Sequence, residues 1–193
     1  MSTFINALLG NAYGELKCVE TPPGSNRSKC IDDIKRLVFG RTDNEAWCAS
    51  FVSYIFKITL NQFKKPIDFV QTASTSEILN WGKKRIIVDR SPAVGSIMYK
   101  TREGGGHVGI VSRVSGKNFT TIDGNSGDRV QENVRNVESN MQFIHTEKYY
   151  NYGAFAALAV NPGVSLSSLL LLAAGGYGIY RYRGGKKLFW GKI

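Results

Sequence analysis

The chain has 193 residues, enough for one domain of about 150 residues with a proper core and an appendage. Three cysteines exclude an even disulfide framework, so Cys18 and Cys30 are expected as reduced, inert thiols, the alternative being a bridge that leaves Cys48 free. The net charge of +10 is uneven: five lysines and arginines fall in 181–193 with no acid among them, leaving +5 to the other 180 residues.

Residues 1–9 lack a basic start and carry only a short, mixed apolar stretch, so no signal peptide is expected. Ile31-Asp32-Asp33-Ile34-Lys35-Arg36-Leu37-Val38 has the apolar spacing of an amphipathic helix. The next helix should start near Cys48 in Asn44-Glu45-Ala46-Trp47-Cys48-Ala49-Ser50, because Phe51, Val52, Tyr54, Ile55 and Ile58 are helically spaced. Asp43 or Asn44 is expected to cap its first turn. A thiol just inside that terminus lies at the positive end of the helix dipole, which favours the nucleophilic thiolate. A lone cysteine beside a tryptophan is more often a small buried hydrophobe. A partner base decides between the two.

Ser74-Thr75-Ser76-Glu77-Ile78-Leu79-Asn80-Trp81 reads as a capped helix start, with Trp81 in the core and Trp47 beside the cleft as a substrate contact. Pro92-Ala93-Val94-Gly95-Ser96-Ile97-Met98-Tyr99 predicts a strand, followed by a loop on which Tyr99, Lys100 and Arg102 are candidate substrate contacts. Gly104-Gly105-Gly106-His107-Val108-Gly109-Ile110-Val111 predicts a glycine-rich loop entering a second strand that continues to Val114. Ser115-Gly116-Lys117-Asn118 suits a hairpin, and Asn118-Phe119-Thr120-Thr121-Ile122-Asp123-Gly124-Asn125 a third strand. Antiparallel pairing brings His107 to the end where Asp123 and Asn125, two apart, share a face. An imidazole with a polar acceptor beside it is what a cysteine nucleophile requires. The other histidine, His145, has no such setting and is expected to be structural or solvent-facing.

Taken together, Ala46-Trp47-Cys48-Ala49-Ser50-Phe51-Val52, Pro92-Ala93-Val94-Gly95-Ser96-Ile97, His107-Val108-Gly109-Ile110-Val111 and Thr121-Ile122-Asp123-Gly124-Asn125 resemble the cysteine, histidine-dependent amidohydrolase/peptidase (CHAP) family of the papain-like superfamily. Glu20-Thr21-Pro22-Pro23-Gly24-Ser25-Asn26-Arg27 also resembles a stretch that precedes the cysteine in some members. The resemblance implies an α+β, papain-like domain over 1–150, with N-terminal helices packed on an antiparallel sheet. It implies hydrolysis of an amide bond in bacterial peptidoglycan, as amidase or endopeptidase. Cys48 would be the nucleophile, His107 the general base, and Asp123 or Asn125 the orienter, the other lining the oxyanion site with the Cys48 N–H. Some members bind calcium through an acidic loop; Asp32-Asp33 lacks the alternating acids of such a loop, so no metal or other cofactor is expected.

Beyond a linker at 151–163, the uncharged run 164–180 is about the minimum length of a membrane helix. Tyr177 and Tyr180 would sit at the interface, ahead of a basic tail at 181–193. The alternative is a helix or hairpin buried in a soluble fold. Contact of the tail with nucleic acid is a further option, too short a signal to stand alone. The resemblance implies a peptidoglycan hydrolase, and with it the C-terminal run leads to the expectation of one anchored in a membrane, associated with a phage virion membrane or the host envelope and other virion proteins. The competing reading is a catalytically silent docking protein of a virion.

Overall fold

The computed structural model describes residues 3–152, 180–183 and 186–189. The chain divides into two units, Met1–Lys148 and Tyr149–Ile193.

In the first unit the helices follow their local chemistry. Helix α1 (Thr3–Gly14) buries Phe4, Ile5, Leu8, Leu9 and Ala12, one face of a 3.6-residue period. Helix α2 (Lys29–Phe39) begins where the Ser28 hydroxyl accepts from the Ile31 N–H, and it ends at Gly40, whose φ of 73° suits glycine. Helix α3 (Cys48–Gln62) is the central one, with Phe51, Val52, Ile55, Phe56 and Leu60 buried. Helix α4 (Thr75–Lys84) starts at Ser74, which accepts from the Glu77 N–H. Trp81 lies in the core, as expected, its indole N–H donating to the Asp68 carbonyl at 2.9 Å.

Six strands form one antiparallel sheet: β1 (Val88–Asp89), β2 (Ile97–Arg102), β3 (Gly105–Ser115), β4 (Asn118–Asp123), β5 (Gln131–Asn136) and β6 (Met141–Ile144). Their order across the sheet is β1-β6-β2-β3-β4-β5. Helices α1, α3 and α4 pack on β3. Strand β2 starts five residues later than Pro92, because Gly95 takes a φ of 88° and its N–H donates to the Val111 carbonyl. Tyr99, Lys100 and Arg102 therefore belong to β2 and not to a loop. An α+β architecture of N-terminal helices on an antiparallel sheet is the result.

One bond overturns the expectation for the cysteines. Cys18 and Cys30 form a disulfide with a Cα–Cα distance of 5.8 Å, leaving Cys48 as the free cysteine. Two chain segments twelve positions apart are brought within bridging distance by the turn at 19–28, which residue counting does not show.

In the second unit, β7 (Tyr180–Arg183) and β8 (Lys186–Phe189) pair antiparallel, with Arg183 opposite Lys186. The basic residues expected in a tail thus lie partly in paired strands, and Tyr180, the last residue of the expected membrane helix, opens β7. The rest of that helix, 164–179, lies outside the described residues. Among the described residues no helix is long and apolar enough to cross a membrane.

Candidate active site

The site begins with how the chain enters α3. Lys35, fully buried on α2, donates to the carbonyls of Asn26, Asp43 and Glu45, and its ammonium pairs with the Asp43 carboxylate at 2.9 Å. A buried ammonium is tolerable only when its charge and protons are matched in this way. The same contacts fix the segment leading to Cys48. Asp43 also accepts from the Glu45 N–H, and Asn44 accepts from Arg27, so neither caps α3 as the sequence suggested. The N-cap position is Trp47, which offers no side-chain acceptor. The first-turn N–H groups are thereby left for another acceptor.

Trp47 is not a substrate contact: it is fully buried, and its indole N–H donates to Glu20 Oε1 at 2.9 Å. Glu20, also buried, accepts from the Asn26 N–H through Oε2 at 2.8 Å. Gly124 lets the ring pack closely, since a Cβ there would lie 2.9 Å from Trp47 and 2.5 Å from Phe51. Trp47 therefore anchors the residue before the thiol, while Cys48 remains at the edge of a cleft. That cleft, about 400 Å³, is lined by Ala46, Cys48, Ser74, Thr75, Tyr99 and Gly106, among others. Gly106 keeps it open, because a Cβ would meet Thr75 Oγ1 at 2.6 Å and the Tyr99 ring at 2.9 Å. Lys100 is instead paired with Glu138 at 2.7 Å. A larger hollow of about 580 Å³, bordered by Lys17, Lys29 and Cys30, holds neither thiol nor histidine.

His107, buried on β3, places Nε2 3.0 Å from Asp123 Oδ2. A carboxylate only accepts, so Nε2 carries the proton and Nδ1 is left to the thiol. Cys48 is the thiol that acts on His107. Burial alone would lower the His107 pKa, but the bonds to Asp123 and Cys48 outweigh it and the pKa is raised. For Asp123, burial acts upward, yet the bond from His107 and the charge of Arg135 hold the pKa below the usual carboxylate value. Asp123 closes β4 one step beyond the Ile110–Ile122 pair, where it meets Gly109. A Cβ on Gly109 would fall 1.8 Å from Asp123 Oδ1, so glycine is what admits the carboxylate.

Asn125 lies beyond β4 in the left-handed region, at a φ of 54°. Strand alternation stops at Asp123, and the shared face expected of the two residues is lost. Asp123 is the group bonded to His107. Two further donors escaped the sequence reading. Asn133 Nδ2 donates to Asp123 Oδ2 at 3.0 Å, and Arg135 pairs with the same oxygen. Their only sequence signal is the period-two polar row Gln131, Asn133, Arg135 on β5. Asp32 is held by Arg27 and Asp33 by Lys29 and Arg36. Among the described residues no group of three His, Cys, Asp or Glu side chains is placed to hold a metal ion.

A free thiol at a helix start, beside an imidazole whose far nitrogen is held by a buried carboxylate, places the domain in the class of cysteine hydrolases. Residues 40–125 match the model of the CHAP domain family, so this chain carries a CHAP domain of the papain-like superfamily. The domain implies, in general, the activity of a cysteine amidohydrolase of the peptidoglycan-hydrolase kind. No curated protein and no solved structure matches the chain.

Proposed function

We propose that the protein hydrolyses an amide bond of bacterial peptidoglycan, with Cys48 as nucleophile, His107 as general base and acid, and Asp123 as the orienter. The observation that carries this reading is the Nε2–Oδ2 bond of 3.0 Å, which leaves Nδ1 of His107 for the thiol of Cys48. In the first step Nδ1 holds the thiol proton while Sγ adds to the scissile carbonyl. First-turn N–H groups of α3, beginning with that of Cys48, are the nearest candidates to receive the oxyanion. Collapse of the tetrahedral adduct breaks the C–N bond, and the imidazolium gives its proton to the departing amine. Water, deprotonated by the same nitrogen, then cleaves the thioester and restores the thiol. Asp123 stays ionised throughout and steadies each imidazolium. The small, uncharged cleft beside Cys48 suits a short neutral peptide segment, with Tyr99 as its aromatic wall. Asn125 has no chemical step in this scheme.

The proposal also places the enzyme at a membrane, through the uncharged run 164–180 and the basic residues that follow it. A virion protein that brings the domain to the wall from a lipid layer fits that pairing of parts. The decisive test is incubation of the full chain with purified peptidoglycan and mass analysis of what is released. New amine termini from the wild type, and none from Cys48→Ala, are expected. A folded wild type that releases nothing from several wall chemistries would replace this reading with that of a silent docking protein.

A further inference from the structure

Strand β5 contributes a row of side chains that the catalytic scheme does not yet use. Arg135 stands opposite Phe119 on β4, and its long side chain runs towards Asp123 along the row Phe119, Thr121, Asp123. Its Nε donates to Thr121 Oγ1 at 3.1 Å, and its Nη2 meets Asp123 Oδ2. Asn133, two residues earlier on the same face, donates to that oxygen at 3.0 Å and also to Ser126 Oγ at 3.2 Å. His107, Asn133 and Arg135 thus converge on one carboxylate oxygen, while Oδ1 has no hydrogen-bond partner among the described residues. Both β5 residues lie outside the segment that matches the family.

A fully buried carboxylate beside a single neutral imidazole tends to take up a proton, and a protonated Asp123 can no longer stabilise an imidazolium. A guanidinium cannot lose its charge at any working pH, and its planar fork fixes the oxygen in direction as well as in charge. Among the described residues the ionisable groups facing Asp123 are His107 on β3 and Arg135 on β5, with Cys48 on α3 acting on the imidazole; Thr121 and Asn133 do not titrate. Resting on the reading of Cys48 and His107 given above, we propose that Arg135 is a positioning residue that keeps Asp123 an oriented carboxylate and so sets the pH at which the Cys48 thiolate forms. Asn133 shares the orienting part of the task but not the charge.

The test needs no wall substrate. Cys48 is the free cysteine, so iodoacetamide labelling of the full chain, followed by mass, reports thiolate at a single site. Removing a nearby cation raises the pKa of every group it faces. The midpoint of labelling against pH should therefore move up by about one unit in Arg135→Met and Arg135→Gln. Arg135→Lys, which keeps the charge, should return most of the way to wild type. Circular dichroism confirms the fold of each variant, and Arg135→Gln serves if Arg135→Met does not fold. A folded Arg135→Met or Arg135→Gln with the wild-type profile would overturn the inference, as would an equal displacement in Arg135→Lys. Failure of the underlying reading looks different: the wild-type profile itself would be unmoved by His107→Gln.

Discussion

His145 is as buried as His107 and as well supplied with carboxylates, yet among the described residues no free thiol is its partner. Its Nε2 lies 2.6 Å from Asp89 Oδ1 and its Nδ1 2.6 Å from Glu147 Oε1, with Lys148 3.8 Å from Asp89. The neighbouring Thr146 hydroxyl donates to the Gly95 carbonyl. The cluster joins the end of β6 to β1 and to the turn before β2, a structural role in keeping with the sequence expectation, although the ring is inside and not facing solvent. Burial would lower the His145 pKa, but the bonds to Glu147 and Asp89 outweigh it and raise the pKa above its usual value. A raised folded-state pKa contributes stability that is full below the unfolded value, near 6.5, and is lost as pH climbs through the folded one. Asp89 runs the other way, with a pKa that His145 holds down against burial, so its share is lost in acid. His145→Gln should accordingly cost about 1–2 kcal/mol near pH 6. That deficit should shrink steadily towards pH 9, as read by urea unfolding at each pH. A deficit constant across the range would mean that shape, and not charge, is what His145 supplies.

Between α1 and α2, the turn closed by the Cys18–Cys30 bridge acts as one element. From inside it, Glu20 holds the Trp47 indole, the Asn26 carbonyl receives Lys35, and Ser28 caps α2. The turn therefore supports the residue before Cys48 from two sides. Replacing both cysteines by serine should lower stability by about 2–4 kcal/mol, in proportion to the loop freed in the unfolded chain. It should also lower kcat/KM by loosening Glu20 from Trp47. Unchanged turnover in a destabilised variant would separate this turn from the site. The same element marks where the sequence stopped being legible. Cys48, His107 and Asp123 stand out because a helix start, a glycine-rich strand and a strand end are local signals. The Glu20–Trp47 bond spans 27 residues, and no periodicity announces it. Strand β5, Gln-Glu-Asn-Val-Arg-Asn, has a single apolar residue, so its alternation is written in polar side chains that a hydrophobic reading passes over. The spacing of Phe4, Ile5, Leu8, Leu9 and Ala12 carries a helical signal for α1 that the short, mixed apolar stretch at 1–9 obscures.

At the scale of the molecule, the buried apolar side chains among the described residues, Tyr150 excepted, and the thiol, imidazole and carboxylate come from Met1–Lys148. Such a unit, with an apolar core of its own, meets the main condition for folding alone. The uncharged run and half of the excess positive charge fall in Tyr149–Ile193, where nothing in the proposed chemistry is needed. Catalysis and membrane attachment should then be separable. A fragment of residues 1–152, which retains all of helix α5 (Thr146–Tyr152), is expected to unfold cooperatively at the temperature of the full chain and to cleave peptidoglycan at the same rate. On a density gradient with liposomes rich in anionic lipid, the full chain should float and the fragment should remain at the bottom, because the apolar run and the flanking lysines and arginines have gone. A full chain that fails to float would remove the membrane reading and leave the hydrolase intact. A fragment that floats as well would move the attachment onto the catalytic unit, whose own +5 excess would then be its cause.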